Sequence, residues 1–175
     1  MTIKITSLML LVPLLLVACT EPAVDPAVDK VAQVSAPVTD SVLPAITLTI
    51  YKTPSCGCCK KWISHLEQNN IVSAAENYDD LTGIKKRYGI KPEHYSCHTA
   101  VSEQGFVFEG HIPARYIRQF LAESHPDALG LTVPAMPMGS PGMEVGDSFM
   151  PYDIIMLMKD GSSSVYVHVS AASQQ

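Results

Sequence analysis

Three cysteines in four positions, Cys56-Gly57-Cys58-Cys59, stand between an alternating segment and a helical one, and they constrain the fold more than any other stretch of the chain. Upstream, Ile46, Leu48 and Ile50 alternate with Thr47, Thr49 and Tyr51, the period of a half-buried strand. Thr53-Pro54-Ser55 breaks it, and from Cys58 the residues Trp62, Ile63 and Leu66 recur at helical spacing until Asn69-Asn70. The thiols therefore close a strand and open a helix, at a sheet edge where backbone N–H groups and Lys60 and Lys61 favour thiolate.

The elements that follow extend this start into a β-α-β-α-β-β-α order. Ile71 to Glu76 reads as a second strand, and Asp80 caps a short helix with Leu81, Ile84 and Tyr88 inward and Gly89 at its end. Two short strands, Thr99 to Ser102 and Phe106 to Glu109, flank Glu103-Gln104-Gly105 and lead to a helix from Pro113 to Glu123 bearing Ile117, Phe120 and Leu121. This is the element order of a thioredoxin-like α/β fold. Beyond it come a Pro/Met-rich C-terminal extension and a terminal β-hairpin, with Ile154 to Met158 and Val165 to Val169 joined at Asp160-Gly161, so one domain is expected over residues 46–170.

The N-terminal residues read as targeting rather than fold. Lys4 precedes an apolar run from Leu8 to Val17 that is too short for a membrane span and ends in Leu16-Val17-Ala18-Cys19, a lipoprotein cleavage box. Residues 1–18 are expected to be the signal peptide, and Cys19 the lipidated terminus. Thr20 after it, in place of an acid, suits the outer membrane, with the domain on the periplasmic face. Residues 19–45 carry Pro22, Pro26, Pro37 and Pro44 and a doubled Pro-Ala-Val-Asp but no aromatic residue, a tether reaching roughly 25 to 30 Å as a mixed coil. Removing residues 1–18 takes away Lys4 and no acid, moving the net charge from −5 to −6, which argues against nucleic acid as a partner.

Four cysteines remain for chemistry. Cys56 and Cys59 have the spacing of a dithiol redox pair, nucleophile and resolver, so a thiol-disulfide oxidoreductase is one reading. Cys58 beside them counts against a simple switch, because a third thiol invites scrambling. It counts equally against a lone tetrahedral zinc, since adjacent helical residues diverge by about 100°. Bridging several soft ions suits Cys56, Cys58, Cys59 and Cys97 better: thiolates select Cu(I), and as many Cu(I) ions as thiolates make a neutral cluster that is cheap to shelter from water. Cys97 joins by topology, because a strand antiparallel to the first begins at the edge where the first ends.

Around this set the alternatives stay open. His98 either points away from Cys97 in regular strand geometry or, if the strand begins later, ligates or supports the cluster. His111 returns to the same edge. Met136, Met138 and Met143 lie in a Pro- and Gly-rich loop, where thioethers either line the cluster and pass copper on or plug gaps. Met150, Met156 and Met158 read as ordinary packing residues. No Ser/His/Asp set, phosphate-binding loop or catalytic carboxylate pair is present, and whether the chain is an enzyme stays open.

The segments Tyr51 to Trp62, Ser96-Cys97-His98-Thr99-Ala100-Val101, Glu109-Gly110-His111-Ile112-Pro113 and Val133 to Glu144 together resemble the CopG-like family of copper-resistance proteins, in unbroken order from Ile46 to Tyr166. The resemblance implies a periplasmic copper-binding protein of thioredoxin-like fold whose cysteines hold a multinuclear Cu(I) cluster. It leaves sequestration or handover and Cu(I)/Cu(II) redox cycling as two mechanisms, with other periplasmic resistance proteins as partners.

Overall fold

The structure, a computed structural model, describes residues 45–175. The signal peptide, the Cys19 lipidation site and nearly all of the tether lie outside the described residues.

The chain enters at β1 (Ile46–Lys52), whose alternation buries Leu48, Ile50 and Lys52 on one side of the strand. α1 (Gly57–Gln68) follows and buries Cys59, Trp62 and Leu66. It returns the chain to β2 (Ile71–Asn77), parallel to β1 with Ile46 opposite Ile71. Asp80 accepts from the Thr82 N–H and hydroxyl just before α2 (Thr82–Arg87), so it forms an Asx turn at the helix entrance rather than the cap itself. β3 (His98–Ser102) runs antiparallel to β1, and β4 (Val107–Glu109) antiparallel to β3. α3 (Ala114–Ala122) then packs Ile117 and Phe120 into the core.

Beyond α3, the sequence pattern carries no strand signal before the terminal hairpin, yet β5 (Ala128–Thr132) pairs parallel to β4 there. β6 (Tyr152–Met158) and β7 (Ser163–Val169) form the expected hairpin, joined to the sheet through β5. The sheet is mixed and seven-stranded, in the order β2-β1-β3-β4-β5-β6-β7. No helix among the described residues is long and apolar enough to cross a membrane.

The main core gathers Leu48, Ile50, Ala100, Phe108 and Leu131 from the sheet beneath Trp62 and Leu66 of α1 and Ile117 and Phe120 of α3. Ile90, Val107 and Leu157 form a smaller cluster apart from it. The C-terminal end of α1 is tied to α3: Arg118 donates Nε–H to the Asn69 carbonyl at 3.1 Å, and the Ala114 N–H, first in α3, donates to His65 Nε2 at 3.0 Å.

That second contact predicts a pH effect. Burial holds the His65 imidazole below its ordinary range, against an upward pull from Glu144. A histidine whose folded pKa is depressed gives up stability as pH falls through its unfolded value, because the unfolded chain takes up the proton first. Urea midpoints are expected to drop as pH is lowered below about 6.5, with a shallower drop in His65→Gln, which keeps an acceptor but has no proton to gain. Equal pH slopes in the two proteins would show that His65 does not titrate against the fold.

Candidate metal centre

β1 and β3 pair so that Lys52 lies opposite His98. Cys97 is the residue just before β3, so this register sets it beside the chain leaving β1, where Cys56 caps α1 and its Sγ accepts from the Cys59 N–H at 3.3 Å. Cys97 Sγ lies 3.5 Å from Cys59 Sγ and 3.8 Å from Cys58 Sγ, and Cys58 Sγ is 3.5 Å from Cys56 Sγ. All four sulfurs fall within 4.8 Å of one another. Cys59 is fully buried and the other three are half-buried, so the group opens to solvent on one side.

In this structure Cys56 and Cys59 are joined as a disulfide, with Cα atoms 5.4 Å apart, and Cys58 and Cys97 are free thiols. Burial first, and then the neighbouring Cys58, push the Cys97 thiol up to about 12. It therefore keeps its proton at neutral pH until a cation displaces it.

Both histidines next to Cys97 are fully buried. His111 Nε2 is 3.0 Å from Cys97 Sγ, while its Nδ1 faces the Pro141 carbonyl at 2.8 Å. A carbonyl only accepts, so Nδ1 carries the proton and Nε2 presents its lone pair to the sulfurs, the arrangement of a ligating imidazole. His98 is the first residue of β3 and packs against Trp62 with ring centroids 4.2 Å apart and planes tilted by 38°, yet its Nδ1 lies 3.2 Å from Cys97 Sγ. Its two sequence readings are thus compatible, because Cys97 precedes the strand and is not bound by the alternation. His98 Nε2 has no hydrogen-bond partner. Burial keeps both rings below the ordinary imidazole range, His98 well below it, and so neutral as metal ligands must be.

Two residues that the sequence does not single out hold Cys97 in place. The Glu109 carboxylate accepts the Ser96 N–H at 2.7 Å and the Thr99 hydroxyl at 2.6 Å, and it pairs with Lys85 from α2. Glu109 is fully buried and Lys85 nearly so. Burial raises the Glu109 carboxyl against the opposing pull of Lys85 and of these donors. The available signal was local: Glu109 continues the face of Val107, and Lys85 follows the inward Ile84.

The C-terminal extension straps the site from the other side. Besides the Pro141 carbonyl on His111, Gly142 lies on the start of α1 at φ +87°, where an added Cβ would come 2.7 Å from the Cys58 carbonyl and 2.8 Å from the Trp62 nitrogen. Gly142→Ala is expected to lose about 1 to 3 kcal/mol of stability and to weaken metal retention together, read by thermal unfolding and by metal analysis after gel filtration. Unchanged retention would show that the strap does not shape the pocket. Met143 is half-buried in this strap, whereas Met136 and Met138 are exposed.

The donor set fits a soft monovalent ion. Four cysteine sulfurs, all thiols once the Cys56–Cys59 bond is reduced, and an imidazole nitrogen converge without a carboxylate among them, and softness favours Cu(I) over Mg(II), Ca(II) or Mn(II).

The family model described as protein of unknown function DUF411 matches residues 94–143, a stretch that holds Cys97, both histidines and the strap. Two solved structures of copper resistance protein CopG, form 2 and form 1, are each 37% identical to this chain, with TM-scores of 0.68 and 0.67. Each match covers 71% of this chain and 98% of the other. No curated protein matches.

Proposed function

The chain belongs to the CopG-like copper-resistance family, and from that premise we propose that it is a lipid-anchored periplasmic protein that takes Cu(I) as cargo on Cys56, Cys58, Cys59 and Cys97. The observation that carries the reading is the meeting of the Cys97 sulfur with the helix-start cysteines and with His111 Nε2. Thiolates bridging several Cu(I) ions cancel their charge, which favours a multinuclear group over a single divalent ion that would leave excess negative charge in a half-buried pocket. His111 ligates through Nε2, with His98 in support. The Leu16-Val17-Ala18-Cys19 box motivates anchoring through Cys19, in the outer membrane. The strand order β2-β1-β3-β4, with β1 and β2 parallel and β3 antiparallel to β1, supports a thioredoxin-like core to which β5, β6 and β7 are added.

The Cys56–Cys59 disulfide favours a second element of function. Forming that bond from two thiols releases two electrons and two protons, enough to reduce two Cu(II) ions to Cu(I), and an external dithiol restores the pair. The same pair without copper would make the chain a thiol-disulfide oxidoreductase. The two readings part in one experiment: the reduced protein is loaded anaerobically with Cu(I), passed over a desalting column, and assayed for retained copper and for insulin reduction. Several coppers per chain with little reductase activity is the expected result. Strong insulin reduction with no retained copper overturns it.

A further inference from the structure

We propose that Met138 and Met150 form a surface thioether site that takes Cu(I) separately from the thiol pocket and feeds it. The proposal rests on Cu(I) being the cargo of this chain. Met150 reads as packing in the sequence, twelve positions from Met138, but the Met150 N–H donates to the Met138 carbonyl at 2.9 Å and clamps the two segments together. Met138 stands in a turn closed by the Ser140 N–H on the Pro137 carbonyl at 3.1 Å. Beneath it, an added Cβ on Gly139 would come 2.8 Å from the Ser148 carbonyl, so the two segments lie backbone to backbone.

With the backbones so close, the side chains are turned to solvent: Met138 is 38% exposed and Met150 52%. Methionines that fill core gaps are buried; these two are among the seven large exposed apolar side chains of the described residues. No Lys or Arg occurs in sequence between Arg118 and Lys159, and the exposed Glu144 and Asp147 lie in the loop between the two methionine segments, so the segments themselves carry no cation. Thioethers are soft and neutral, so they select Cu(I) and hold it less tightly than thiolates. The strap links the two places, since Pro141 and Gly142, which contact His111 and α1, follow Met138 by three and four residues. Each ion passing inward replaces one thiol proton, which leaves to solvent, and no electron moves.

The test uses the full chain with 13C-labelled methionine methyls, reduced and kept anaerobic, with Cu(I) added as its acetonitrile complex. Single Met→Leu variants assign the signals. The expected result is a shift of the Met138 and Met150 methyl signals on addition of Cu(I) beyond what the thiols take up, after ultraviolet thiolate-to-copper absorption has reached its plateau. In Met138→Leu/Met150→Leu the extra copper is lost and filling of the thiols is slowed, while the final thiolate absorption is unchanged. Full thiolate absorption with unmoved Met138 and Met150 signals overturns the surface site and leaves the copper reading standing. No thiolate absorption at all overturns the copper reading and this site with it.

Discussion

Cys97→Ser is expected to lose at least about a hundredfold in Cu(I) affinity, about 2.7 kcal/mol, in competition with a chromophoric chelator. Among the described residues, Cys97 is the one sulfur that lies next to Cys58, Cys59, His98 and His111 together, so its loss removes the bridge between the helix start and the strand start. A serine hydroxyl keeps the volume but offers a hard oxygen that does not hold Cu(I). Cys97 is half-buried and absent from the packed core, so the fold should survive, with an unchanged thermal midpoint as the control. Wild-type affinity in the variant would show that the helix-start cysteines bind copper alone and would end the four-cysteine proposal.

Lys85→Met is expected to cost about 3 to 5 kcal/mol in urea unfolding, because it leaves the Glu109 carboxylate buried with no opposite charge. Glu109 also holds the Ser96 N–H, so the same variant should loosen Cys97 and reduce copper retention. The double variant Lys85→Met/Glu109→Gln keeps an acceptor for the Ser96 N–H, turns its NH2 to the Thr99 hydroxyl oxygen and removes the stranded charge, and it should regain most of the lost stability. A loss of only about 0.5 kcal/mol in the single variant would match a solvated surface pair and refute the buried positioning role.

Much of the α/β pattern was legible because its signals are local. The Ile/Leu/Thr alternation of β1, the Trp62 and Leu66 spacing of α1 and the Asp160-Gly161 turn each report on a few neighbouring residues, and the structure sets those elements within a residue or two of the reading. β5 was not legible: Ala128-Leu129-Gly130-Leu131-Thr132 is short and interrupted by glycine, and it becomes a strand only by pairing with β4 and β6 on its two sides. Lys85 and Glu109 hid for a related reason. Each looks like a surface charge in its own segment, and only the packing of α2 against the strands closes them into a pair.

The cysteine spacing, the end of a strand and the start of a helix were available from the chain alone, since soft-metal or dithiol chemistry follows from which side chains are present and how few bonds separate them. That Cys97 comes to this edge followed from the topology inferred from the chain, but its distances to Cys58 and Cys59, the orientation of His111 by Pro141 and the clamp of Met150 on Met138 did not. These contacts join residues 12 to 39 positions apart through strand register and loop hydrogen bonds, and distance in space along those bonds has no counterpart in the linear order of residues.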